Sequence, residues 1–510
     1  MSKKKQAQPQ GPLPSKLREL VESLAMAVLM AIGLKYFLVE AYSIPSPSMQ
    51  PTLLGSNAAG AYDRILVNKA AYLLRAPQRW EIAVFRYPHN RSQNYVKRIV
   101  GLPGETLQII GGDIYRRDAE GKLAILRKPK GLQDAFWRRI WHQDLREDPR
   151  ADLGRSVHWD GDEIVLAATG STTKSILLGN RESLRDHYWH GYPPSIEEAV
   201  KRDLGSPDNG YGRHSVGDLR ISGELQLSSG WKRAFLRIAE QDSGQLNREI
   251  DLEITNKAGK SFARLSISGD GSRLEGEPTS RHQSQPVEIE AGTWIDMELW
   301  HWDDQIWAHV GGVELGPLPY SAPAVPLNDE AQVVARVGVS GAGARLRGLQ
   351  LDRDQYYLAR EAAGTDIKVP AHNYWMLGDN TQNSADGRSW ATLSLSYDPK
   401  TKKLLRPGTG SARLVGNARV GSGDADENPV FVPEAQALVF TDLQGEEHVL
   451  KASYNEFLQM GYGGLQPRND GGEGAQRYDR FVPEQYFLGR ALAIFWPLGL
   501  GSPFRLSLIR

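Results

Sequence analysis

The 510-residue chain has no cysteine, which removes disulfide staples, thiolate nucleophiles and cysteine metal sites together. It has no surplus of either charge, since 61 basic side chains stand against 61 acidic ones. Without excess positive charge to neutralise phosphates, nucleic acid is excluded as a partner. Metal-ligand spacing is lacking too. His187 and His190 are close, but no third ligand stands at a useful distance, so packing or surface roles are expected and neither a metal nor a cofactor is. Ser171 to Lys174 and Ser229 to Lys232 both fit S-x-x-K, yet the companion motifs of penicillin-recognising enzymes are missing. Gly341-Ala342-Gly343 lacks the third glycine of a dinucleotide site.

Long apolar runs are scarce as well. Residues 20–39 (L-V-E-S-L-A-M-A-V-L-M-A-I-G-L-K-Y-F-L-V) are long enough to cross a bilayer, which takes about 20 residues. Glu22 and Lys35 lie near the ends, where a lysine stem can snorkel. Lys3, Lys4, Lys5, Lys16 and Arg18 precede the run with no acidic residue, which puts the N-terminus on the cytoplasmic side and the residues beyond 39 outside. No convincing small-residue cleavage site stands after the run, so an uncleaved single-pass anchor in the cytoplasmic membrane is expected. The next most apolar run, 491–500, contains Phe495, Trp496 and Pro497 and is read as a strand or a membrane-contacting edge.

Three blocks carry chemistry: S-P-S-M-Q-P-T-L at 46–53, Y-V-K-R at 95–98 and G-D-N-T-Q-N-S-A-D-G-R at 378–388. In this order they resemble the signature of type I signal peptidases, the bacterial leader peptidase family with a Ser/Lys dyad. The resemblance implies a serine endopeptidase that cleaves signal peptides of exported preproteins after small residues at −1 and −3. Ser48 would be the nucleophile and Lys97 the general base. A lysine accepts a proton only when neutral, and desolvation is what lowers its pKa. Tyr95, Val96, Ile99 and Val100 are the right neighbours to exclude water. By the same resemblance, the Ser46 hydroxyl and the Ser48 amide would face the oxyanion, and Ser384 would orient the lysine. Arg98, Asp379, Asp386 and Arg388 would support the site walls through charge pairing. Ile44, Pro45, Met49, Leu53, Tyr95 and Val96 would shape the substrate pockets, with the substrate held extended between strands.

The sequence departs from the family pattern at two places. Pro47 stands between the serines where glycine is common, and its fixed φ near −65° suits an extended strand. Trp80-Glu81 stands where the family commonly shows Gly-Asp.

The expected fold class is mostly β: an N-terminal transmembrane helix, an antiparallel signal-peptidase-type catalytic domain, and an inserted sandwich resembling concanavalin-A-like or laminin-G-like domains. Residues 1–18 are assigned to a basic tail, 19–41 to the anchor, 42–155 to the first catalytic part with a connecting region, and 156–365 to the inserted sandwich. Residues 366–392 return to the catalytic domain, 393–480 form a second insertion, and 481–510 close the catalytic domain. Period-two alternation in R-E-I-D-L-E-I-T-N and W-I-D-M-E-L-W supports the sandwich. The charged, tryptophan-rich stretch beginning at Arg127 reads as a short amphipathic helix with an extended flank, and the Gly-rich stretch 463–477 as a loop. Expected partners are preprotein signal peptides and the lipid bilayer, with a protein or glycan as a candidate ligand of the sandwich. Trp300, Trp302 and Trp307 are the side chains that would stack on a sugar, although packing within the sandwich is favoured. Two rivals are a self-cleaving repressor-type Ser/Lys protease, which would need a DNA-binding head, and a membrane-tethered binding protein with an inert protease frame.

Overall fold

The computed structural model describes residues 15–56, 61–143, 157–179, 184–187, 189–192, 212–242, 246–269, 280–320, 324, 326–327, 329–410, 412–419, 427–462, 476–496 and 506–509. The basic residues before 15, most of the Gly-rich stretch and Pro497 lie outside them. The chain is mostly β, built from antiparallel sheets.

One antiparallel sheet holds the block 95–98 and two strands that lead into the blocks 46–53 and 378–388. Its path runs Val39–Ser43, Arg64–Asn68, Phe487–Trp496, Ile82–Arg86, Asn94–Gly101, Asn373–Leu377 and Phe481–Pro483. Arg64–Asn68 shows a clean inward alternation, with Ile65 and Val67 fully buried between more exposed neighbours. Ile82–Arg86 is buried over four successive residues, as a central strand covered on both faces must be. The run containing Phe495 therefore forms an interior strand, paired with Arg64–Asn68 on one side and Ile82–Arg86 on the other.

Residues 20–39 do not form one continuous span. The helix covers Ser15–Phe37, and Val39 already opens the first strand. Arg18 and Glu22 pair on it at 2.8 Å. Among the described residues, no helix is long and apolar enough to cross a membrane.

Two further sheets face each other over a common core. One contains Val157–Asp160, Glu163–Leu166, Ala344–Arg353, Leu219–Leu227, Trp294–Trp302, Gln305–Val310 and Val313–Pro319; the other contains Thr173–Leu178, Gln332–Ser340, Arg233–Asp242, Leu246–Lys257, Lys260–Gly269 and Ser280–Pro286. Ile221, Leu299 and Leu346 from the first pack in the same cluster as Leu236, Leu252 and Val337 from the second. Arg138–His142, which the sequence reading groups with the first catalytic part and its connecting region, pairs with Ala344–Arg353 in this layer. The stretch from Arg127 forms a short 3₁₀ turn, Lys130–Ala135, in place of an amphipathic helix. Trp302 is buried and donates through its indole nitrogen to Asp303, so it cannot stack on an external sugar. Trp300 and Trp307 are half-buried, with Lys130 Nζ 4.3 Å from the Trp307 ring centre.

Sandwich and catalytic frame are joined by a polar knot. Asp113 from the frame and Asp218, Asp303 and Asp354 from the sandwich bring carboxylate oxygens within 4.8 Å of one another. Lys128 supplies the counter-charge, its amine 2.5 Å from Asp303 and 2.8 Å from Asp354. Burial, reinforced by neighbouring carboxylates, pushes the Asp218 carboxyl well above its ordinary range.

The second insertion has its own core, with Leu393, Leu395, Phe440, Leu450 and Phe457 at its centre. The hairpin of Ala437–Thr441 and Glu447–Lys451 stands within it. Tyr87 Oη donates to Asn417 Oδ1 at 3.1 Å, and the Arg91 amide donates to the Leu443 carbonyl at 2.9 Å, tying the insertion to the frame.

Candidate active site

Ser48 sits in a 3₁₀ turn, Pro47–Met49, immediately after the extended Ser46. Pro47 thus opens a turn, not an extended strand. Its ring imposes a φ that suits the first position of such a turn, where an amide hydrogen is not needed. The Pro47 carbonyl accepts from the Gln50 amide at 3.0 Å and from Asn380 Nδ2 at 2.9 Å.

Lys97 lies on the Asn94–Gly101 strand, opposite the fully buried Ala83. Only 3% of its surface is exposed, and Nζ donates to Ser48 Oγ at 2.6 Å. Ser46 Oγ stands 3.2 Å from Ser48 Oγ. A hydroxyl, an amine and a second hydroxyl from two segments 49 positions apart are therefore in contact.

Ser384 is brought to the same place, but without the expected hydrogen bond. Its Oγ is buried and has no hydrogen-bond partner among the described residues. Its position is set by Gly378: a Cβ there would lie 2.1 Å from Ser384 Oγ and 2.4 Å from the Ser48 carbonyl oxygen. The block 378–388 can approach Ser48 only because residue 378 has no side chain. Gly378→Ala is accordingly expected to push Ser48 and Ser384 apart. A displacement of about 1 Å at a catalytic group can cost roughly 10²-fold in turnover. Steady-state kinetics on a peptide, alongside a melting curve, checks this, and unchanged turnover would show that the close approach is dispensable.

The charged residues form two buried pairs behind the dyad. Arg98 grips Asp379 through two parallel bonds, Nε to Oδ1 at 2.8 Å and Nη2 to Oδ2 at 2.6 Å, with both side chains fully buried. Burial alone would raise the Asp379 carboxyl, but Arg98 outweighs it and holds the group below the ordinary carboxylate range. Asp386 is held low in the same way by Arg388, at 2.8 and 2.6 Å. Asp386 also accepts from the Gly378 amide at 2.9 Å, which fixes the glycine at its close approach.

Sequence reasoning missed several members of this arrangement. Thr52 Oγ1 donates to Asp379 Oδ2 at 2.5 Å, Arg138 Nη2 donates to Thr52 Oγ1 at 2.9 Å, and Gln355 Nε2 donates to the Asp379 carbonyl at 2.7 Å. Arg138 and Gln355 lie in and beside strands of the sandwich sheet, so only the fold brings them here. Trp80 explains the other departure. Its φ is +72°, in the left-handed region where glycine is at ease. The tryptophan tolerates that backbone while its ring packs edge-on against Phe136 at 5.5 Å, and its carbonyl accepts from Arg98 Nη1 at 2.7 Å.

Above the dyad is a cleft of about 530 Å³, lined by Tyr42 to Ser48, Ile65, Val84, Gln93 to Lys97, Asn383, Ala385 and Arg419. Ile44, Pro45, Tyr95 and Val96 are among the lining residues. Met49 and Leu53 are not. Both are fully buried in the core with Ile65 and Ile82, because the turn that presents Ser48 directs its neighbours inward. They support the floor from below. His190, away from the cleft, accepts from Arg353 Nε at 3.0 Å, and burial together with Arg353 lowers His187 to about 4.

The family model described as signal peptidase, peptidase S26, matches residues 17–158 and 330–397. Those two stretches of the chain are similar to that family. The matched stretches contain all three blocks, and the gap between them holds most of the sandwich. Similar proteins include a probable signal peptidase I-2 of Synechocystis sp., 38% identical over 119 residues, 22% of this chain and 50% of that protein. Signal peptidase I of Leptolyngbya laminosa is 38% identical over 118 residues, 21% of this chain and 55% of that protein. Signal peptidase I of Pseudomonas aeruginosa is 41% identical over 104 residues, 18% of this chain and 34% of that protein. The chain thus spans about half the length or less of these relatives. Among solved structures, a carbohydrate-binding module, CBM66, from Bacillus subtilis aligns with 38% of this chain and 90% of its own, at 7% identity and a TM-score of 0.21. A likeness that slight says nothing about what the sandwich binds.

Proposed function

We propose that this chain is a membrane-attached serine endopeptidase that removes N-terminal signal peptides from exported preproteins, with Ser48 as nucleophile and Lys97 as general base. The observation that carries this reading is the 2.6 Å contact between a buried amine and a serine hydroxyl on the floor of a cleft. Burial disfavours the ammonium form, and a neutral amine can take the Ser48 proton as the hydroxyl attacks a carbonyl carbon. The tetrahedral oxyanion would be met by the Ser46 hydroxyl and the Ser48 amide. The lysine then returns its proton to the leaving amine, and water releases the acyl-enzyme. The binding-protein reading, with an inert frame, predicts decay of this constellation, whereas Ser48, Lys97 and Ser384 are all present and close together.

The cleft walls favour an extended substrate. Asn94 to Lys97, from one strand of the sheet, line the cleft opposite Tyr42 to Ser48 from another segment. A bound chain can lie extended between these two walls, with alternate side chains entering the cleft beside Ile44 and Val96. Incubating the purified chain with a preprotein and sequencing the new N-terminus tests the reading. Cleavage after a small residue at the end of the apolar segment is expected; cleavage elsewhere, or none, rejects it.

Membrane attachment rests on exposed apolar surface. Leu20, Leu24, Met26, Leu29 and Met30 of the helix are 62–69% exposed, and Leu73, Leu74 and Leu508, from separate segments, are 78–84% exposed. Such side chains gain when placed against lipid. The charge pattern favours a single crossing with the basic tail in the cytoplasm. Because the chain has no cysteine, Ser2→Cys and Glu120→Cys variants report topology without background. A membrane-impermeant maleimide applied to intact cells is expected to label residue 120 and spare residue 2. Equal labelling of both, or release of the protein by alkaline carbonate, would overturn the arrangement.

A further inference from the structure

Two side chains from the sandwich layer close a ring with two residues of the catalytic blocks. Arg138 Nε donates to Gln355 Oε1 at 2.9 Å, and Gln355 Nε2 donates to the Asp379 carbonyl at 2.7 Å. Asp379 Oδ2 accepts from Thr52 Oγ1 at 2.5 Å, and Thr52 Oγ1 accepts from Arg138 Nη2 at 2.9 Å, which closes the ring. Arg138, Gln355 and Asp379 are each at most 5% exposed, so bulk water does not compete for these bonds. Arg138 opens a strand paired with Ala344–Arg353, and Gln355 follows that partner strand. The sandwich layer therefore sets the place of both, whereas Thr52 and Asp379 belong to the blocks around Ser48 and Ser384.

The ring reaches Ser48 through a single peptide unit. A trans peptide points its C=O and its N–H in opposite directions. The unit joining Asp379 to Asn380 accepts from Gln355 on one side, and on the other its N–H donates to the Ser48 carbonyl at 3.2 Å. The Gln355 amide has one workable orientation, because turned over it would set oxygen against the Asp379 carbonyl and NH2 against the Arg138 guanidinium. Arg138 thus orients Gln355, and Gln355 holds the 379–380 peptide. That peptide in turn anchors the residue whose Oγ lies 2.6 Å from Lys97 Nζ.

We infer that Gln355, oriented by Arg138, is a positioning residue of the peptidase, so that the inserted sandwich sets the alignment of Ser48 against Lys97. Neither Gln355 nor Arg138 lines the cleft, and their effect passes through the 379–380 peptide. The inference rests on the peptidase reading above and adds to it the side chains that keep the nucleophile aligned.

The test measures kcat and KM of the full-length chain on a peptide with an Ala-x-Ala cleavage site, beside melting curves. Gln355→Met keeps the bulk and removes both amide bonds. Its kcat is expected to fall by about 10 to 10²-fold, as for a catalytic group displaced by up to about 1 Å. KM should stay near that of the unmodified chain, because Ile44, Pro45, Tyr95 and Val96 of the cleft wall lie outside the ring. Gln355→Glu keeps the bond from Arg138 but sets an oxygen against the Asp379 carbonyl. It should lower kcat as well, and it carries the test if Gln355→Met does not fold. Leu252→Ala loosens the sandwich core away from the ring, so it should lower the melting temperature and leave kcat unchanged. An unchanged kcat in a folded Gln355 variant overturns the role. So does an equal kcat loss in Leu252→Ala, or a rise in KM that accounts for the whole effect. If the unmodified chain does not cut the peptide, the peptidase reading fails and the positioning role falls with it, an outcome distinct from cleavage that is indifferent to Gln355.

Discussion

Ser48→Ala is expected to reduce preprotein cleavage by about 10⁴ to 10⁶-fold, because removing the nucleophile of a serine protease eliminates the acyl-enzyme route. Lys97→Ala should be about as severe. The two losses should not add, since a base without its nucleophile has nothing to activate. Lys97→Arg is the sharper probe. A guanidinium keeps the positive charge and most of the bulk but does not give up a proton in proteins, so it cannot act as base. If charge alone mattered, Lys97→Arg would work; in the mechanism proposed, it is dead. Single-turnover assays on a peptide separate these outcomes, and substantial activity in Ser48→Ala would reject the assignment. Chelators are expected to have little effect.

Asp379→Ala is expected to destabilise the fold by about 3 to 5 kcal/mol, the usual result of removing one partner from a buried ion pair. The Arg98 guanidinium would then lie fully buried without its two carboxylate bonds, and Thr52 would lose its acceptor. Arg138, 3.5 Å from the same carboxylate, would also be left with less compensation. A chemical denaturation curve measures the loss. The pair also has a pH signature. Because the folded-state carboxyls of Asp379 and Asp386 lie below their ordinary values, their contribution is complete above the unfolded carboxylate pKa of about 3.9. It is lost as pH falls through the depressed folded values. Asp379→Asn should remove part of that acid-side dependence. An unchanged acid-unfolding profile would mean that the pair contributes little.

Much of the site was readable in the chain because its chemistry is local. Ser46 and Ser48 are two positions apart, Lys97 and Arg98 are adjacent, and Asp379 to Arg388 form one short block. Strand alternation was readable too, since period-two burial is visible in any half-buried strand, as in Arg64–Asn68. The errors have physical causes. The family resemblance places Met49 and Leu53 in the pocket, but a matching position leaves orientation open, and the turn at Pro47 faces them into the core. Pro47 itself fits either an extended or a 3₁₀ backbone at nearly the same φ, so its identity could not choose between them. Trp80 hides a left-handed backbone that its side chain gives no sign of.

The sequence by itself pointed to Ser48 and Lys97 as the proposed dyad, through the family resemblance, and to the charge pairs and the mostly β character, through residue type and short spacing. Only the tertiary structure decided that Ser48 and Lys97 touch, that Gly378 must be bare for Ser384 to come near, and that Arg138, Gln355 and Arg419 from the insertions reach the site. Those are contacts across tens to hundreds of positions, created when separate sheets pack, and no local pattern encodes which distant side chains a packed interface will bring together.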